Sequence, residues 1–216
     1  MILSVETSTR AFSVTLFTER ELAHCELDYE LSHSQHIVRV VQFLLQRLNI
    51  GPGEITTAYA GIGPGSFTGL RVGLAVAKGL CFARNIPIVG VNSLKLLASQ
   101  LGEVSVPIIP VIDAKREQYY TAIYKQGTEI SPPTLLDCDQ LMKRLSNLRT
   151  GILLGYYTED FAENLKRSLR NRFIIVCNRT SYITGLIVGT VAGEKYKHHG
   201  EDNLDSLQPL YVREGK

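Results

Sequence analysis

The sequence predicts an α/β protein built from two similar halves, and three observations indicate this fold class. Strand-like and helix-like apolar patterns alternate along the chain. Residues 2–17 read as a strand, a polar turn that begins with an acid, and a second strand, and residues 108–124 repeat this order. The offset between the copies is close to half of the 216-residue chain. This spacing favours duplication of one folding unit.

The first half continues with helices and strands in alternation. Residues 34–48 predict a helix that Ser32 or Ser34 can cap and that residues 51–53 end. Residues 57–62 predict a strand, which a glycine-rich turn joins to a helix over 69–84. A strand over 86–91 and a short helix over 93–101 complete this half.

The second half is sparser, which predicts a reduced second lobe. Helices are expected over 139–148, 158–171 and 182–197, and strands over 151–155 and 173–177. The boundary is expected between residues 102 and 107, so the predicted domains are 1–104 and 105–216.

The glycine-rich run at residues 63–73 is the most informative motif. Gly69, Gly73 and Ala77 recur at i, i+4 and i+8 and share one helical face. Glycine within a helix costs about 1 kcal/mol relative to alanine, so the stripe indicates that another backbone comes very close. This neighbour is either a partner's helix or another part of the same chain. No lysine follows Gly69 and no acid lies within 55–102, which excludes a P-loop and a dinucleotide fingerprint.

Composition narrows the function classes further. A net charge of +2 is unlike that of a strongly basic nucleic-acid binder. The four cysteines are far apart, as expected for free thiols in a reducing cytosol. The chain opens without a basic signal-peptide region and contains no apolar run of 18 residues, so a cytoplasmic location is expected.

The chain resembles the TsaB (YeaZ) family at five places. They are residues 6–9 (Glu-Thr-Ser-Thr), 33–35 (His-Ser-Gln), the run 63–73, the pattern from Asp113 to Tyr120, and residues 209–213 (Pro-Leu-Tyr-Val-Arg). The resemblance is good over residues 1–125 and thin beyond them. It implies the two-lobed actin-like, hexokinase-like (ASKHA, ribonuclease H-like) architecture. The family usually opens its first turn with Asp-Thr, where this chain has Glu6 and Thr7.

The resemblance also implies a function in tRNA modification. Family members are partners of the enzyme TsaD, which transfers a threonylcarbamoyl group to the adenosine beside the anticodon, and the small ATPase TsaE joins the complex. In TsaD a metal-binding His-x-x-x-His follows Gly-Val-Asn, and here the two ligand positions fall on Ser93 and Leu97. The chain is therefore expected to be a non-catalytic partner with no metal and no cofactor. The alternative is an independent phosphotransferase or ATPase that uses the cleft between the lobes.

A partner interface is expected on the helices 34–48 and 69–84. The same face would form a homodimer when the enzyme is absent, and Gly73→Leu would then yield a folded monomer. The predicted interface residues are His33, Ser34, Ile37, Val41, Leu44, Phe67, Thr68, Gly69, Arg71, Val72, Gly73 and Ala77. Contact with tRNA is expected to be indirect or weak, through the basic residues Lys166, Arg167, Arg170 and Arg172.

Overall fold

The computed structural model describes residues 1–9, 11–28, 33–177 and 183–212. In these ranges the chain forms ten strands, six α-helices and two short 3-10 helices. The strands are β1 (Ile2–Glu6), β2 (Ala11–Phe17), β3 (Leu22–Asp28), β4 (Thr57–Gly63), β5 (Ile88–Asn92), β6 (Ile108–Lys115), β7 (Gln118–Lys125), β8 (Thr128–Asp137), β9 (Gly151–Tyr156) and β10 (Phe173–Cys177). The helices are α1 (His33–Arg47), α2 (Phe67–Arg84), α3 (Ser93–Ser99), α4 (Cys138–Ser146), α5 (Glu159–Leu169) and α6 (Gly185–His199). No helix in these ranges is long and apolar enough to cross a bilayer.

The first sheet has the order β3-β2-β1-β4-β5. β1 is antiparallel to β2 and parallel to β4. Alternation along β1 sends Leu3 and Val5 into the apolar core beneath α1, while Ser4 faces α6 beside Gly189. Helices therefore cover both faces of this sheet.

The second sheet repeats the first, with the order β10-β9-β6-β7-β8. β6 is antiparallel to β7 and parallel to β9, as β1 is to β2 and β4. The helices α4 and α5 have 9 and 11 residues, whereas their counterparts α1 and α2 have 15 and 18. The predicted fold class, an actin-like duplication with a reduced second copy, is confirmed.

The acids that begin the two polar turns occupy equivalent positions. Glu6 follows Val5, which pairs with Ala60 in β4, and Asp113 follows Ile112, which pairs with Tyr156 in β9. Each carboxylate accepts a hydrogen bond from the backbone amide two residues later, at 2.5 Å for Glu6 and 2.7 Å for Asp113. The duplication therefore extends to the chemistry of the turn.

The chain forms two compact units that differ from the predicted domains 1–104 and 105–216. Unit 1 comprises Met1–Ser93 together with Ile183–Leu210, and unit 2 begins at Leu94. The helix α6 belongs to unit 1 because it packs against β1, β2, β4 and β5. Its first amide, at Gly185, donates to Ser13 Oγ at 2.6 Å, and a Cβ at Gly185 would lie 2.5 Å from Thr15 Oγ1. This close docking is a tertiary contact that the local pattern did not reveal.

Candidate functional site

The turn between β1 and β2 is polar yet buried. Glu6, Thr7, Ser8 and Thr9 are all shielded from solvent. The Ser8 amide donates to Glu6 Oε1, and Thr9 Oγ1 donates to the carbonyl oxygen of Ala11 at 3.0 Å. These local hydrogen bonds hold the turn in one conformation.

Glu6 is a fully buried acid whose second oxygen, Oε2, has no hydrogen-bond partner among the residues that the structure describes. Burial raises the pKa of Glu6 from 4.5 to about 7, although hydrogen bonding at Ser8 opposes this rise. A Cβ at Gly61 would lie 1.8 Å from Oε2. Because Gly61 has no side chain, it leaves the space that Glu6, which is longer than an aspartate, occupies.

The start of α2 lies directly on this turn. The Ser66 amide donates to the carbonyl oxygen of Ser8 at 2.7 Å, and Ser66 Oγ caps the helix by accepting from the Gly69 amide at 3.2 Å. Added Cβ atoms at Gly65 and Gly69 would each lie 2.2 Å from a backbone oxygen of the turn. The glycines of the motif thus let α2 begin in contact with the backbone at residues 7 and 8.

The predicted close approach at Gly69, Gly73 and Ala77 is present, but the neighbour is the chain itself. All three residues are buried, and a Cβ at Gly73 would lie 2.2 Å from Thr7 Oγ1. The interpretation of this stripe as the contact face for a partner's helix is therefore corrected. A leucine at Gly73 would collide with Thr7, so unfolding of that variant would carry no information about an interface.

On α1, the predicted interface residues divide by burial. Ile37 and Leu44 are buried in the apolar core of unit 1, so they face the chain's own sheet instead of a partner. Val41 is half-buried and packs against the same core. The side chains of His33 and Ser34 lie outside the described part of the structure.

On α2, the predicted residues outside the glycine stripe are accessible. Phe67, Thr68 and Arg71 are exposed, and Val72 is half-buried. The Arg71 guanidinium lies 3.8 Å from the centroid of the Phe67 ring, which is a cation–π contact. Phe67, Thr68 and Arg71 lie away from the glycine stripe and remain candidates for an interface, whereas Val72 packs against the apolar core beneath α1.

Sequence reasoning predicted Phe67 but missed Val38, Phe43 and Phe82, three further exposed apolar side chains on the same two helices. The exposed fractions are 46% for Val38, 54% for Phe43, 55% for Phe67 and 80% for Phe82. We call these four residues the exposed apolar set of α1 and α2. The sequence pattern could have identified them, because each lies outside the apolar face with which an amphipathic helix packs against the protein core.

The C-terminal motif meets the glycine-rich motif in unit 1. The Leu210 amide donates to the carbonyl oxygen of Ile62 at 2.7 Å, and a Cβ at Gly63 would lie 3.5 Å from the carbonyl oxygen of Leu210. Gly63 has a φ of +98°, which favours glycine. Three of the five family motifs therefore pack together here, whereas Asp113 lies in unit 2 and Arg213 lies outside the described residues.

Ser93 and Leu97 lie one turn apart on α3, as their sequence spacing predicts. Both are fully buried, and Ser93 Oγ has no hydrogen-bond partner among the described residues. In the described ranges, no group of three or more His, Cys, Asp or Glu side chains is placed to hold a metal ion. The absence of a metal and of a cofactor stays a prediction.

The basic cluster lies where α5 leads into β10. Lys166, Arg167 and Arg172 are exposed, whereas the side chain of Arg170 is not described. Arg167 pairs with Glu163 at 3.1 Å. Cations in the last turn of a helix also interact favourably with its dipole, so the cluster has a structural role without any ligand.

Comparison with known proteins places this chain in a family. A family model described as TsaD, tRNA N6-adenosine threonylcarbamoyltransferase, matches residues 29–215. The chain is 27% identical over 184 residues to the tRNA threonylcarbamoyladenosine biosynthesis protein TsaB of Haemophilus influenzae, covering 77% of this chain and 78% of that protein. It is 34% identical over 128 residues to the protein of that name from Escherichia coli, covering 58% of this chain and 55% of that protein.

Solved structures agree with this placement at the level of the fold. YeaZ from Pseudomonas aeruginosa has a TM-score of 0.77 at 21% identity, covering 98% of this chain and 99% of that chain. The family model matches far more than half of the chain, and several relatives share the name TsaB. The chain therefore belongs to the family that the TsaD model describes and, within it, to the TsaB (YeaZ) proteins.

Proposed function

We propose that this protein is a non-catalytic partner subunit in the biosynthesis of threonylcarbamoyladenosine in tRNA. It stabilises and regulates a TsaD-like enzyme, which transfers the threonylcarbamoyl group to the adenosine beside the anticodon, and a TsaE-like ATPase joins the complex. Family membership and the names of the relatives support a role in this pathway.

The exposed apolar set of α1 and α2 is the observation that supports a partner role most strongly. Contiguous exposed apolar patches mark protein interaction sites, and these four side chains lie on two helices that pack against each other. Phe82 is 80% exposed, and Phe67 stacks with Arg71 on the same side of α2. Aromatic and arginine side chains contribute most of the binding energy at many interfaces.

Three buried residues support the non-catalytic part of the proposal. Ser93 and Leu97 stand where the catalytic relative is expected to carry histidines, and neither side chain is a ligand for a transition metal. Glu6 is enclosed by Gly61 and by its own turn, so its carboxylate is inaccessible to a nucleotide. This enclosure disfavours the alternative of an independent phosphotransferase.

The same helical face serves a homodimer when the enzyme is absent, because the two proteins share a fold. A stable interface of this kind buries about 1,200–2,000 Å² in total.

Contact with tRNA is indirect or weak, since Arg167 of the basic cluster already pairs with Glu163. The described cysteines Cys25, Cys81 and Cys138 are free thiols, which suits the reducing cytoplasm.

Reconstitution with a TsaD-like enzyme, a TsaE-like ATPase and tRNA tests this proposal. Phe67→Glu should leave the melting temperature unchanged yet reduce both complex formation and modified adenosine by about 10-fold or more, the effect expected of an interface hot spot. Ile130→Glu is the matched control, because Ile130 is equally exposed on β8 of unit 2. Full activity of the Phe67 variant would refute the interface, and tRNA modification by this chain alone would refute the non-catalytic role.

A further inference from the structure

In the described part of the chain, the two sheets end on the edge strands β3, β5, β8 and β10. An open edge presents unpaired backbone N–H and C=O groups that another strand can join. Folded proteins protect such edges with charged side chains, with proline or with a covering segment. Three of these four edges have such protection.

Polar residues and proline protect β3 and β8. β3 carries His24 and Glu26, which form an ion pair at 3.6 Å if the histidine is protonated. β8 carries Glu129 and the pair Pro132 and Pro133, which lack the backbone N–H that a further strand would need.

A segment of the chain covers β5. The Asp202 amide donates to the carbonyl oxygen of Ile88 at 2.9 Å, in an antiparallel bridge. Asp202 Oδ2 accepts from the Gly90 amide at 2.7 Å and pairs with Lys195 at 2.7 Å. The residues after α6 therefore close the edge of the first sheet.

β10 occupies the equivalent position in the second copy and has no such protection in the described residues. Its sequence is Phe-Ile-Ile-Val-Cys, without a charge or a proline, and it pairs with β9. Ile174 is 62% exposed. Among the described residues, a segment closes the edge at β5, whereas none covers the equivalent edge at β10.

Positive charge lies beside the start of β10, whereas the acids Glu159 and Asp160 lie in the first turn of α5. Lys166 and Arg167 occupy the last turn of α5, and Arg172 immediately precedes the strand with its guanidinium 5.7 Å from the centroid of the Phe173 ring. Glu163 is the acid that pairs with Arg167. Acidic side chains would therefore stabilise a segment bound at this end of the strand.

We propose that the β10 edge binds an extended acidic segment of a partner protein, which joins the second sheet as an added strand. Apolar side chains of that segment pack beside Ile174, and its acids meet Arg172 and Lys166. A second copy of this chain fits less well, because its own α5 would bring cations as well as acids to the same edge. A five-residue pairing would also bury far less than the roughly 1,200 Å² of a stable dimer.

Peptide arrays with the full-length protein test this proposal. One array holds eight-residue peptides in which Val or Ile alternates with Asp or Glu, and the matched array has Lys in place of each acid. Saturable binding is expected on the acidic array only, weakening as salt rises. Ile174→Lys and Arg172→Glu should each weaken binding at least tenfold, whereas Ile130→Lys on β8 should not.

Amide hydrogen exchange locates the bound peptide. The best acidic peptide should slow exchange across residues 173–177 and leave β8 unchanged. Three results would overturn the proposal: no saturable binding up to about 1 mM, equal binding by a folded Ile174→Lys variant, or protection at another edge. Self-association that Ile174→Lys abolishes would instead assign the edge to a second copy.

Discussion

Replacing Glu6 by glutamine should change how the stability of this protein depends on pH. Glutamine is nearly isosteric, and its Oε1 can still accept the hydrogen bond from the Ser8 amide. It cannot ionise, so the variant avoids the cost of a buried negative charge. The difference in stability between the two proteins should therefore appear only at a pH at which the wild-type carboxyl loses its proton.

The magnitude follows from the shifted pKa. Burial raises the pKa of Glu6 from 4.5 to about 7, so the folded state binds more protons than the unfolded state in this interval. Wild-type stability therefore falls as pH rises from about 4.5 to about 7, and the whole loss is about 3 kcal/mol. Between pH 5 and pH 8, the glutamine variant should gain about 2.5 kcal/mol relative to wild type.

Urea denaturation of both proteins from pH 5 to pH 8 measures this difference directly. In thermal unfolding it corresponds to about 5–10 °C at pH 8 for a chain of this size. Glu19→Gln is a suitable control, because Glu19 is exposed. Parallel stability profiles for wild type and the Glu6 variant would show that Glu6 is ionised at little cost, and the reasoning would be wrong.

Two pairs of variants test the packing around the turn. Gly61→Ala should destabilise the protein by about 2–3 kcal/mol, because its Cβ would lie 1.8 Å from Glu6 Oε2, and adding Glu6→Asp should restore much of the loss. Additive losses in denaturation would contradict this contact. Gly73→Ala should cost about 1–3 kcal/mol through its collision with Thr7, whereas Gly79→Ala has open space and should gain about 0.5–1 kcal/mol. Equal melting temperatures for these two variants would contradict the assignment of the buried face.

Local patterns predicted most of the regular structure and missed the third strand of each copy. β3 was missed although Ala23, Cys25 and Leu27 alternate with His24 and Glu26 as in a half-buried strand, and β8 was missed because Pro132 and Pro133 argue against a strand. Both lie at sheet edges, where one side of the backbone needs no partner and such residues are tolerated. The start of α2 at Phe67 instead of Gly69 depends on the Ser66 cap, which is a contact of the folded chain.

The sequence by itself determined that one folding unit occurs twice, that an acid begins each polar turn, and that a backbone approaches the Gly69–Gly73 stripe. The periodicity of the apolar residues indicates these features, as do residue types, such as glycine, that particular backbone conformations require. The tertiary structure decided that this backbone is the chain's own turn at Thr7, that Gly61 makes room for Glu6, and that α6 joins unit 1. Periodicity indicates that one face of a helix is buried. Which residues bury that face depends on contacts between residues far apart in the chain.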